Sequence, residues 1–234
     1  RMGCRFCAST LLGLSRNLYP SEMLDQIYAI QKATGERVSH LVVMGTGEPL
    51  DNYDSLLRFI HLLTDEGGLH ISQRNLTVST CGIVPNMCRL ADEKLQITLA
   101  LSLHAPNDEV RKTLMPVANK YKLVDILAAC HQYFVKTGRR LTFEYSLVAG
   151  VNDTDTDAAE LQALVRGMNC HINLIPVNPI KERDFVQSNH AAIAAFQKRL
   201  EKGGVNVTIR REMGRDIDGA CGQLRRRHME EQSE

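Results

Sequence analysis

The segment HLVVMGTGEP, residues 40–49, joins a short β-branched apolar run to a loop with two glycines, an acid and a proline. The run at 40–44 is too short for a helix and reads as a buried strand. Five more runs of the same kind follow, at 75–80, 97–103, 141–147, 171–177 and 205–210. Amphipathic stretches near 21–34, 52–66, 85–94, 121–137, 153–167 and 188–203 alternate with them. Ser21, followed by acids, suits a helix start. Gly35, Gly67, Gly138 and Gly203 suit helix ends. Strand–helix alternation at this spacing predicts an α/β fold with a parallel sheet, either an open doubly wound one or a barrel. No internal repeat, low-complexity tract or linker divides the chain, so residues 1–234 read as one domain.

Polar and glycine residues collect where these strands end: Gly45–Pro49, Ser79-Thr80-Cys81-Gly82, Ser102-Leu103-His104-Ala105 and Asn178-Pro179. Open α/β sheets and barrels build their sites there. Ordinary loop chemistry explains any one of these loops, but explains four together poorly.

Length and composition bound the function classes. The chain has 234 residues, 44% hydrophobic and 24% charged, which are globular values. No apolar run reaches the about 18 residues of a membrane helix. The chain opens on Arg1 with no signal-peptide pattern, as a piece of a longer sequence would. The net charge of +1 is uneven. Residues 1–21 carry Arg1, Arg5 and Arg16 and no acid, and residues 198–228 carry nine basic groups against four acidic. Basic ends around an acidic middle suit a polyanionic partner, although a solvated charged surface reads the same way.

Seven cysteines, an odd number in a chain this long, point to a reducing, cytoplasmic compartment rather than a disulfide scaffold. Cys88, Cys130 and Cys170 sit in or beside predicted elements and read as small core residues. Cys4-Arg5-Phe6-Cys7 is the pair with ligand spacing. A zinc ribbon would need a second such pair, a thioredoxin-like motif would need a preceding strand, and an iron–sulfur cluster usually needs at least three thiolates. The pair alone leaves all three open.

The ordered set CRFCAST (4–10), GLSRNL (13–18), VVMGTGEPLDNYD (42–54), TVSTCGIVP (77–85), LALSLHAPND (99–108), FEYSLVAGVND (143–153), NLIPVNP (173–179) and GRDIDGACGQL (214–224) resembles the RlmN family of radical S-adenosylmethionine (SAM) RNA methyltransferases. The resemblance covers nearly all of the chain. It implies a partial (β/α) barrel lacking its first strand and the N-terminal accessory domain. It also implies methylation of adenine carbon 2 in 23S rRNA and, in many members, tRNA. The related Cfr family, which methylates carbon 8, shares most of these motifs, and a non-catalytic RNA-binding fragment is the reading from another class.

The resemblance also implies roles. Cys4 and Cys7 match two of three cysteines holding a [4Fe–4S] cluster in a CxxxCx(aromatic)C motif. Phe6 takes the aromatic place, and the third cysteine is expected just before Arg1. Gly47, Glu48, Ser79, Ser102, Leu103, His104 and Asn178 match SAM contacts. Cys221 matches the cysteine that carries the methyl group as a thioether. A thiolate can take a methyl from SAM by displacement, whereas the electrophilic carbon 2 of adenine cannot. A second SAM would then yield the radical that activates the methylthioether. The expected partners are the RNA and an electron donor such as flavodoxin or ferredoxin, on a monomeric cytoplasmic chain. Several of these residues also have plain structural readings: His104 as a satisfied strand-end histidine, Glu48 as a loop charge, Cys221 as a turn residue. Arg225-Arg226-Arg227 reads equally as a tail or a phosphate contact. The remaining histidines show no ligand spacing.

Overall fold

The computed structural model describes residues 1–11, 13–180, 182–211 and 223. Six strands make one parallel sheet: β1 (Leu41–Val43), β2 (Leu76–Thr80), β3 (Thr98–Ser102), β4 (Leu141–Leu147), β5 (Cys170–Pro176) and β6 (Val207–Ile209). Their spatial order follows their chain order. That order decides between the two architectures left open by the sequence. A doubly wound sheet reverses direction at a switch point, and this one never does. Right-handed crossovers that always step the same way put every connection on one face and curl the sheet toward a barrel. The sheet is open, with β1 and β6 at its edges among the described residues.

The connections are α1 (Pro20–Thr34), α2 (Tyr53–Thr64), α3 (Val84–Asp92), α4 (Asp108–Leu114), α5 (Leu123–Thr137), α6 (Asp155–Leu164) and α7 (His190–Lys202). Side chains alternate across each strand. One set, including Val78, Leu101, Phe143, Tyr145, Ile172 and Val207, joins the main core with the helices. Tyr145 meets Phe196 of α7 at 5.4 Å between ring centres. Each fully buried Leu, Ile or Phe of this set contributes roughly 1.5–3 kcal/mol. The other set is largely polar: Ser79, Ser102, Thr142, Glu144, Asn173 and Thr208. The face away from the helices is therefore a polar floor.

Some expected boundaries shift. Ser21 is the second residue of α1. Pro20, with no N–H to lose, opens the helix, and the backbone N–H of Tyr19 donates to Glu22 Oε2 at 2.8 Å. Gly35 and Gly138 do take left-handed C-cap conformations, at φ +72° and +65°. Gly67 does not end α2. That helix stops at Thr64, and Asp65 Oδ1 accepts from the Gly67 N–H at 2.8 Å in a turn of its own. The short helix α4 was not foreseen, because seven residues reading DEVRKTL carry little apolar period. Its first turn is capped by Asn107, whose Oδ1 accepts from Val110 N at 2.9 Å. No helix among the described residues is long and apolar enough to cross a membrane.

Candidate active site

Every expected site residue among those described lies at or beyond the C-terminal end of a strand, or in the loop ahead of the sheet. The loop comes first. Cys7 N donates to Cys4 O at 3.3 Å, and the Thr10 hydroxyl reaches the carbonyl oxygens of both Cys4 and Cys7, at 3.0 and 2.8 Å. These bonds close the turn that carries the two thiols. Arg5 N donates to Leu114 O at 2.8 Å, which docks the turn on the end of α4. Cys4 is buried in an apolar cluster with Cys81, Leu114 and Met115, and Phe6 and Cys7 pack at its margin. Burial, followed by the nearness of Cys7, pushes the Cys4 thiol up to about 12. A metal centre binding there must displace a firmly held proton.

Glu48 follows β1. Its Oε1 accepts from Leu50 N at 3.0 Å and its Oε2 from Cys81 N at 2.7 Å. Burial raises its pKa, and these backbone donors oppose that rise. Glu48 is therefore a brace between the first and second strand-end loops, not a free loop charge. The side chains of Cys81 and Thr80 also hydrogen-bond to this carboxyl and act in the same direction as the backbone donors. Gly47 sits beside it at φ +123°, a conformation that side chains rarely adopt, and its exposed face meets no atom within 4 Å.

His104 follows β3 at φ +58° and is 4% exposed. Its Nδ1 accepts from Ser146 N at 2.9 Å, so the ring hydrogen resides on Nε2. Phe6 meets the ring edge-on at 4.7 Å. Burial, reinforced by Arg111, lowers its pKa to about 3. The ring is neutral at physiological pH and ties β3, β4 and the cysteine loop together. Asn152 completes this joint: its Nδ2 donates to His104 O and Ser146 O, both at 2.7 Å, and its Oδ1 accepts from Val148 N at 2.8 Å.

The other expected residues are placed as follows. Ser79 is buried in β2 and Ser102 closes β3. Leu103 puts its side chain in the core, its N–H donates to Glu144 O at 3.0 Å and its carbonyl accepts from Arg111 Nε at 3.1 Å. Asn178 is exposed two residues beyond β5. Cys221 and Arg225-Arg226-Arg227 lie outside the described residues. Gln223 is described, and its side-chain amide donates to Pro179 O at 3.1 Å. Cys130 is buried and Cys88 and Cys170 are partly buried, as core residues should be. Of the basic N-terminal residues, Arg1 pairs with Asp51 at 3.2 Å and Arg16 with Glu22, so part of that surplus is neutralised locally.

Sequence reasoning missed three participants. Arg111 is fully buried under the strand ends, and Asn152 is the fully buried joint just described. Glu144 is a buried carboxyl on the polar floor, where Asn173 Nδ2 donates to its Oε2 at 2.9 Å and burial raises its pKa. The signal for Glu144 was the strict apolar–polar alternation of LTFEYSL. Arg111 left no local signal.

Among the described residues no group of three or more His, Cys, Asp or Glu is arranged to hold a metal. Two thiols on one closed turn, with a buried cation nearby, suit two corners of an iron–sulfur cluster whose other ligands come from elsewhere. The polar floor and the open face of Gly47 suit a small polar cofactor beside it.

Residues 1–161 match the family described as the Radical SAM superfamily. The chain belongs to the radical SAM superfamily and, within it, to the RlmN family. Curated relatives carry the name "Probable dual-specificity RNA methyltransferase RlmN". The one from Lachnospira eligens is 69% identical over 99% of this chain and 66% of its own length. The one from Clostridium tetani is 54% identical over 100% of this chain and 67% of its own. The chain spans just under two thirds of the first of these RlmN relatives. A solved radical SAM methyltransferase from Sphaerobacter thermophilus superposes with a TM-score of 0.91 at 44% identity, covering 95% of this chain and 66% of that one. Streptococcus suis SuiB bound to S-adenosylmethionine shares the fold at a TM-score of 0.63 and 16% identity, covering 94% of this chain and 52% of that one. The radical SAM superfamily uses a [4Fe–4S] cluster and SAM, which is the pair of groups that the cysteine turn and the polar floor suit.

Proposed function

We propose that residues 1–234 form the catalytic core of an RNA methyltransferase that adds a methyl group to carbon 2 of an adenine in 23S rRNA, and to tRNA adenine as well. The observation that carries this reading is 54–69% identity to relatives of that name over essentially the whole chain. Cys4 and Cys7 would be two of the cysteines that hold the cluster. When bound, that cluster supplies the electron that cleaves SAM reductively and so provides a radical.

The chain's own residues position and exclude. The Thr10 hydroxyl and the Arg5–Leu114 bond fix the cysteine turn over the sheet. Glu48, held in place by backbone donors, is the negative charge that would attract the SAM ammonium, with Gly47 leaving room for that approach. Ser79, Ser102, the Leu103 backbone, His104 and Asn178 ring the same end of the sheet. His104 acts there as a neutral wall that keeps its shape rather than as a proton carrier. Cys221 would accept a methyl group on sulfur before its transfer to RNA. The electron donor is a small redox protein of the flavodoxin or ferredoxin kind, and the setting is the cytoplasm.

The test uses the full-length protein, reconstituted anaerobically with iron and sulfide. Methyl-labelled SAM should deliver label to adenine, and digestion with mass spectrometry should locate it at carbon 2. Cys221→Ala should abolish transfer while leaving cluster formation intact. Label on carbon 8 would move the protein to the Cfr type of reaction. Unchanged transfer by Cys221→Ala would remove that residue's role.

A further inference from the structure

Arg111 is 0% exposed and has no carboxylate salt-bridge partner among the described residues. Its Nε donates to Leu103 O at 3.1 Å, and its Nη2 to Cys81 O at 2.7 Å and Ser102 O at 3.2 Å. Its Nη1 is buried and has no hydrogen-bond partner among the described residues. Neutral carbonyls satisfy donors but do not cancel charge. An uncompensated guanidinium in an apolar interior costs several kcal/mol, so such groups are normally paired.

The groups around it identify what is missing. Arg111 sits on α4, whose end docks the cysteine turn through Leu114 O, and its Nη2 holds Cys81, which packs with Cys4 in one apolar cluster. Asp108, at the start of the same helix, makes no salt bridge to it and spends an oxygen on Leu123 N at 2.9 Å. Glu48 lies on the far side of Cys81.

We infer that Arg111 is a positioning residue whose buried charge compensates a thiolate-bound iron–sulfur cluster at Cys4 and raises that cluster's reduction potential. The inference rests on the reading of Cys4 and Cys7 as cluster ligands. Reduction makes a cluster one unit more negative. A fixed cation in a low-dielectric pocket favours the reduced form, and net charge and hydrogen bonding set such potentials. A role confined to bracing the strand ends would alter stability without altering the potential.

The test is a redox titration of the full-length protein after anaerobic reconstitution, followed by electron paramagnetic resonance of the reduced cluster. Arg111→Gln should still bind four irons. At a fixed poise its reduced-to-oxidised ratio should fall about tenfold, equivalent to about 59 mV for a one-electron couple. Arg111→Lys, which keeps the charge, should recover most of the wild-type ratio. If Arg111→Gln does not fold, citrulline introduced at position 111 keeps the planar shape and the Nε–H and one NH2 group, replaces the other terminal nitrogen with oxygen and removes the charge, and the same fall is expected. A folded, cluster-loaded neutral variant with the wild-type ratio would overturn the inference. Failure of the wild-type protein to assemble any cluster would instead overturn the assignment of Cys4 and Cys7.

Discussion

Glu48 and Arg111 hold the same residue from its two sides. The Glu48 carboxylate accepts from Cys81 N at 2.7 Å, and the Arg111 guanidinium donates to Cys81 O at 2.7 Å. An acid from the β1 loop and a base from α4 thereby lock the residue after β2 without touching each other. Backbone groups at a strand end have lost their ladder partners, and a buried one must be satisfied by something. Here charged side chains do it, which also brings both charges to the edge of the cysteine turn.

This brace predicts the effect of Glu48→Gln. Glutamine has one acceptor oxygen where two backbone donors need one each, and its amide group would face an N–H. The variant should lose about 1–3 kcal/mol in urea unfolding with an unchanged m-value. It should also weaken SAM binding in calorimetry. Wild-type stability in this variant would mean that the two hydrogen bonds contribute nothing net.

His104 predicts an acid sensitivity. Its folded pKa of about 3 lies below the ordinary 6.5, so the unfolded chain binds a proton that the folded chain refuses. Stability is unaffected above pH 6.5 and falls as pH drops from 6.5 toward 3, by at most about 1.4 kcal/mol per pH unit from this group. His104→Asn tolerates the left-handed backbone and cannot titrate. Denaturant melts from neutral to mildly acidic pH should show a shallower loss in the variant, although it starts less stable for want of the Phe6 contact.

Asn152 is fully buried, with three short hydrogen bonds from one amide. Asn152→Ala should cost about 3 kcal/mol or more, read as a lowered melting midpoint. Asn152→Asp turns an oxygen toward the carbonyls of His104 and Ser146 and must stay protonated to fit. Its raised pKa makes the variant lose further stability as pH rises through the carboxylate range, opposite in sign to the histidine effect.

Gly82 and Gly47 separate strain from collision. Gly82 has φ +100°, and an added Cβ would lie 3.0 Å from Ile126 Cδ1, whereas Gly47, at φ +123°, has nothing within 4 Å. Gly82→Ala should therefore destabilise by about 1–3 kcal/mol, and Gly47→Ala by less, through strain alone. Paired thermal melts give the comparison, and equal losses would count against the collision.

Much of the fold was legible in the sequence. The expected strand at 141–147 coincides with β4, and the others fall within one or two residues of their observed bounds. Short apolar runs ended by glycine and proline carry that information locally. The helix α4 and the cap at Tyr19 were not legible, because short polar helices depend on their surroundings more than on their own pattern. The candidate site divides in the same way. Cys4, Cys7, Gly47, Glu48 and His104 could be named from ordered motifs, but Glu48 accepting from Cys81 spans 33 positions and His104 accepting from Ser146 spans 42.

By itself the sequence determined the alternation of strand and helix, the sides of the sheet and the family, because periodicity and motif order are properties of the linear chain. Only the tertiary structure decided that the sheet winds one way, that His104 is neutral and that Arg111 is a buried, uncompensated cation. The winding depends on which strands pair across the chain, and the two charge states depend on desolvation, which is set by the neighbours that folding brings from distant positions.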